Sequence, residues 1–110
     1  MAEAQMNEAE FATAVEDALE RFGWQWCHYR AARTVAGWRT PLSGHKGLHD
    51  YIATRGGRLL IFELKSADGR ISPEQATWHR RLKLTEAEVH IWRPADWPEI
   101  EKALIPEALR

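Results

Sequence analysis

Phe11, Val15, Ala18, Leu19 and Phe22 recur with helical spacing, Asn7 stands at a capping position before them, and Gly23 follows as a stop. This pattern predicts a first helix with one apolar stripe. Trp24–Arg30 is rich in aromatics and reads as a strand. Residues 32–47, with Gly37, Pro41, Gly44 and Gly47, read as a long loop. His49–Thr54 and Arg58–Lys65 read as two strands joined across Gly56-Gly57, and Leu59–Leu60–Ile61–Phe62 followed by Glu63–Leu64 suggests a second strand buried on both faces. Ser72-Pro73-Glu74-Gln75 opens a helix, with Ser at the cap, Pro at the first helical position and Gln at the capping-box position. That helix runs to about Leu84 and carries Gln75, Trp78, His79 and Leu82 on one face. Glu88–Trp92 is a short strand, and Asp96 is expected to cap a last helix through Leu104. The expected class is α/β: a small mixed β-sheet flanked by helices in the order α-β-β-β-α-β-α. Without repeats, low-complexity tracts or Ser/Gly linkers, residues 1–110 read as a single domain.

Composition adds exclusions. No apolar run approaches the ~18 residues of a membrane span, and the acidic N-terminus does not resemble a signal peptide. The single cysteine, Cys27, excludes a disulfide framework and a Cys-based zinc cluster, and fits a reducing cytoplasm. The formal net charge is −1, which by itself argues against an anionic partner. Its distribution reverses that reading. Residues 1–20 carry −6, residues 21–85 carry +8 and residues 86–110 carry −3. A basic middle between acidic ends points to an anionic ligand.

The hairpin places chemistry in that middle. A two-residue Gly56-Gly57 turn sets Arg55 opposite Arg58, Ile52 opposite Ile61 and Asp50 opposite Glu63. Two opposed carboxylates repel, so stability alone does not favour the pair; a hard divalent cation such as Mg2+ removes the penalty. Glu63 and Lys65 are two apart on one strand and share a face. Charges ending a buried strand are costly unless paired or used; the plain alternative is a solvated pair beyond the core edge. Two carboxylates holding Mg2+ beside an amine suit phosphodiester hydrolysis, the metal polarising a phosphoryl oxygen and the amine orienting water or stabilising charge.

Gly47-Leu48-His49-Asp50, Glu63-Leu64-Lys65 and Gln75 resemble the signature of the PD-(D/E)XK nuclease superfamily, and more narrowly the small stand-alone VRR-NUC nucleases of bacteria and their phages. The likeness extends over nearly the whole chain, through the N-terminal helix, the aromatic strand and the later Val89-His90-Ile91-Trp92-Arg93-Pro94. One position departs: the family usually has Pro before the aspartate, where this chain has His49. The resemblance implies a restriction-endonuclease-like fold and a metal-dependent deoxyribonuclease. Asp50, Glu63 and the backbone carbonyl of Leu64 would hold Mg2+, with Mn2+ able to substitute, and Lys65 would act in catalysis. Gln75 matches a family glutamine on the second helix, with a capping role equally open to it. The family also uses a glutamate early in its first helix. Glu8, on the stripe with Phe11 and Val15, is preferred to Glu10, although both also suit the helix dipole. Stand-alone relatives imply a homodimer, with branched or junction DNA as the narrower substrate expectation. No organic cofactor is implied.

Arg33, Arg39, Lys46, Arg55 and Arg58 are the candidate phosphate contacts, giving salt-sensitive DNA binding. Trp38 is a candidate for base stacking or for packing of its loop, while Trp78 and Trp92 fall at core-like positions. Of the five histidines, His28 and His90 read as structural, and His45 and His49 flank the proposed site. A His-Asp phosphohydrolase is disfavoured because that fold is all-helical. Two other classes stay open: a non-catalytic nucleic-acid-binding module, and a protein-interaction domain using exposed tryptophans and the acidic ends.

Overall fold

The structure is a computed structural model and describes residues 6–29, 32–34, 37–39 and 42–109. Helix α1 spans Glu8–Arg21, helix α2 Pro73–Leu82 and helix α3 Trp97–Leu104. Strands β1 to β6 are Gln25–His28, Ala32–Thr34, Gly37–Arg39, Tyr51–Arg55, Arg58–Leu64 and Glu88–Trp92. A four-stranded sheet runs β1-β4-β5-β6, with β1, β4 and β5 antiparallel and β6 parallel to β5. Strands β2 and β3 pair as a separate hairpin inside the segment expected to be a loop. The expected mixed sheet is present; the element order gains this hairpin, whose short strands lack the apolar alternation that would mark them.

Local chemistry sets the ends of these elements. Asn7 and Glu10 form a reciprocal capping box at the start of α1, and Ser72 and Gln75 do the same for α2. Gly56 and Gly57 both have positive φ, the backbone a tight twisted hairpin turn needs. The register Arg55↔Arg58, Ile52↔Ile61, Tyr51↔Phe62 follows. Asp96 precedes α3 but does not cap it with its side chain. Its carboxylate instead accepts from the Arg93 N–H at 2.8 Å, closing a short 3-10 turn, Pro94–Asp96.

Phe11, Val15, Ala18 and Leu19 of α1 and Ile100 and Leu104 of α3 are buried with Tyr51, Ala53, Leu60, Phe62 and Leu64 of the central strands and with Trp92. The alternation puts Tyr51, Ala53, Leu60, Phe62 and Leu64 on one face of β4 and β5. Trp24 closes one end of the core and donates its indole N–H to the Leu104 carbonyl at 2.8 Å. The other face carries α2, a helix with no buried residue. Strand β5 is therefore not buried on both faces throughout: Leu59 is 40% exposed and Ile61 half-buried, and closure comes only toward Glu63 and Leu64. Among the described residues no helix is long and apolar enough to cross a membrane.

Candidate active site

The hairpin register carries past the last residue pair of β4 and β5. Tyr51 faces Phe62, so Asp50, one residue before β4, comes beside Glu63, and its backbone N–H donates to the Glu63 carboxylate. Glu63 is 7% exposed. Burial, then the Asp50 charge, push its pKa up to about 7, against the pull of Lys65. Lys65 Nζ stands 3.9 Å from Glu63 Oε2, on the same strand face. Asp50 Oδ1 is buried and accepts no hydrogen bond. The two carboxylates and the amine predicted to meet are thus together at the end of β5.

Gln75 makes two contacts. Its Oε1 accepts from the Ser72 N–H at 3.0 Å, completing the cap, and its Nε2 reaches Glu63 Oε2 at 3.4 Å. The Lys65 N–H donates to the Trp92 carbonyl at 2.9 Å. Across that trans peptide the Leu64 carbonyl points the opposite way, toward the β4 side of the strand where Asp50 lies. Among the described residues no three His, Cys, Asp or Glu side chains converge as a metal-binding group. The donors that fit a cation are instead two carboxylates and a main-chain carbonyl, all oxygen. That suits Mg2+, which keeps several waters and takes few protein ligands.

Glu8 does not join this cluster; it is exposed in the first turn of α1. Glu10 is spent on the capping box. The helix carboxylate near the site is Glu16, about 12 Å further along the axis than Glu8. Glu16 Oε2 accepts from Tyr51 Oη at 2.5 Å and lies 3.4 Å from His28 Nδ1, while His28 Nε2 meets Asp50 Oδ2 at 3.2 Å. His28 stacks on Tyr51 with ring centroids 4.0 Å apart. Glu16, His28 and Tyr51 were not singled out by the sequence as site residues. The apolar stripe fixes the angle of Glu8 but not where along its axis the helix crosses the sheet. Glu16 follows Val15 and sits off the stripe by about 100°.

His49, in place of the expected Pro, is fully buried, and its Nε2 is 2.9 Å from His79 Nδ1 of α2. Burial, then the neighbouring His79 and Lys65, press its pKa down to about 4, so the ring is neutral. His90 is half-buried, stacked on Trp92 and 3.6 Å from Glu99.

Among the described residues, Lys46, Arg55 and Arg58 do not converge on the carboxylates as one group. Arg55 and Arg58 flank the Gly56-Gly57 turn, at the far end of the hairpin; Glu63 lies five residue steps along the strand from Arg58, about 17 Å. Arg55 Nε donates to the Phe22 carbonyl at 2.7 Å, and Arg58 forms a two-pronged pair with Glu88 at 2.6 and 2.7 Å and lies over the Trp24 ring. Lys46 is exposed on the loop facing α2. The side chains of Arg33, Arg39 and Trp38 lie outside the described residues. No family model matches the chain, and neither a curated protein nor a solved structure matches it.

Proposed function

We propose that the chain is a Mg2+-dependent DNA nuclease with a restriction-endonuclease-like core of the VRR-NUC type, acting in the cytoplasm as a homodimer. One observation carries the reading. Asp50 and Glu63 are held together with one carboxylate oxygen buried and unpartnered and the other acid raised to about 7. Two carboxylates kept in contact at such a cost gain most from a divalent cation.

In this reading Asp50, Glu63 and the Leu64 carbonyl form the cation-binding set. Bound Mg2+ supplies polarisation of the phosphoryl oxygen and a lower pKa for a coordinated water. Lys65, beside Glu63, orients the attacking water and balances negative charge as it develops on the phosphate. Gln75 holds Glu63 from α2, and His28, braced by Glu16 and Tyr51, holds Asp50 Oδ2 so that Oδ1 stays available.

The test is incubation of the purified protein with linear duplex, single-stranded and four-way-junction DNA in Mg2+, Mn2+ or EDTA. Cleavage is expected in Mg2+ or Mn2+, blocked by EDTA and lost in Glu63→Ala and Lys65→Ala. Cleavage that persists in those variants refutes the site. Salt-dependent binding with no cleavage would replace the nuclease by a non-catalytic DNA-binding module, and no DNA binding at all by a protein-interaction domain.

A further inference from the structure

A cleft of about 480 Å3 lies on the outer side of α2, lined by His45, Lys46, Glu74, Thr77, Trp78 and Arg81. That volume falls in the range of small-ligand sites. The loop forms one wall and is fixed to the helix at two points. Trp78 Nε1 donates to the carbonyls of His45 at 3.2 Å and Lys46 at 3.0 Å. Gly47, with φ +100°, seats the loop so closely that a Cβ there would fall 2.7 Å from the Glu74 main-chain carbon. With its only donor committed to the loop, the Trp78 indole offers a ligand its ring surface alone.

The cleft is next to the candidate active site. Gln75 and His79 lie on one stripe of α2 and reach Glu63 and His49. Glu74, Trp78 and Arg81 form the neighbouring stripe, about 100° around the helix. Lys46 and Arg81 are exposed, and neither has an ion-pair partner among the described residues. An aromatic surface beside two uncommitted cations suits a nucleotide: stacking is tolerant of base identity, and the cations attract the phosphate.

We propose that this cleft binds a nucleotide of the DNA strand flanking the scissile phosphate, its base against Trp78 and its phosphate at Lys46 and Arg81. The proposal rests on the nuclease reading for the position of the scissile phosphate. Glu74, the one acid on the lining, disfavours phosphate beside it and so directs the backbone toward the two cations.

Binding of a fluorescein-labelled single-stranded oligonucleotide, followed by anisotropy in EDTA, tests the cleft without requiring turnover. Lys46→Ala/Arg81→Ala changes two exposed side chains and is expected to weaken binding roughly tenfold or more. It should also flatten the dependence of log affinity on log salt by about 0.7, the release from the one phosphate of a single strand that the pair holds. Oligonucleotides with one abasic position, moved along the strand, should lose roughly tenfold at one register on the native protein. That register-specific loss should vanish in Trp78→Leu and return in Trp78→Phe. Unchanged affinity and salt slope in the double variant, with Mg2+-dependent cleavage intact, overturn the cleft and leave the nuclease reading standing. Weakened binding in a protein that never cleaves supports the cleft as a nucleotide site and overturns the nuclease. A native protein that neither binds nor cleaves DNA overturns both.

Discussion

Replacing Glu63 with glutamine should make the protein more stable above neutral pH, although it removes the central acid of the site. Burial and Asp50 raise the Glu63 pKa from 4.5 to about 7, and Lys65 offsets only part of this. For a group whose folded pKa is raised, the stability it confers is fully present below the unfolded value and lost as pH rises through the folded one. The window is therefore pH 4.5 to 7. At about 1.4 kcal/mol per pH unit, the ionised carboxylate costs about 3 kcal/mol by pH 8. Glutamine has the shape of the protonated acid and keeps an acceptor for the Asp50 N–H. Glu63→Gln should match the native protein near pH 4 and exceed it by about 3 kcal/mol at pH 8, a large share of the stability of a domain this size. Urea denaturation midpoints from pH 4 to 8.5 measure the difference, and subtracting the two curves removes every titrating group that does not interact with Glu63, leaving Glu63 together with its neighbours Asp50 and Lys65. Millimolar Mg2+ should then raise the midpoint of the native protein at pH 8 and leave Glu63→Gln almost unmoved. Parallel curves for the two proteins, or a Glu63→Gln variant less stable at pH 8, would refute the account of a strained carboxylate pair.

Three further outcomes are expected. His49 is held neutral with its pKa near 4, so its contribution is complete above pH 6.5 and lost as pH falls toward 4, by about 3 kcal/mol; His49→Asn should show a shallower acid limb in the same urea titration. Gly47→Ala and Gly44→Ala both place a side chain at positive φ, but only Gly47 would drive a Cβ into the α2 backbone, whereas Gly44 faces open space. Thermal melts should show a cost of about 1 kcal/mol at Gly44 and at least about 2 kcal/mol more at Gly47. Arg58→Ala removes the two-pronged contact with Glu88 and the cation over Trp24, 4.9 Å from the ring centroid. Because Arg58 and Glu88 are partly exposed, the expected loss is about 1–2 kcal/mol, read from urea midpoints and reduced in high salt.

The sequence by itself determined the local decisions and those that follow from period two. Asn7, Gly23 and Ser72 mark helix ends through hydrogen bonds spanning only a few residues, and Pro73 through its fixed φ and missing N–H. The Gly56-Gly57 turn fixes the register of its two strands, and that register alone brings Asp50 to Glu63. Glu63 and Lys65 share a face because strand side chains alternate. What only the tertiary structure decided is where separate elements meet. An apolar stripe turns α1 toward the sheet but says nothing of its sliding position, so Glu8 lies exposed and Glu16 reaches the His28–Asp50 pair. The same freedom separates charge along the chain from charge in space. Arg55 and Arg58 belong to the basic middle, yet the length of β5 carries them to the opposite end of the sheet from the carboxylates. Lys46 comes close to α2 because Gly47 lets the loop settle against the helix and Trp78 ties it there. Turn geometry and side-chain alternation act between near neighbours and are legible in order; docking depends on shape complementarity between distant segments, which no single stretch of sequence contains.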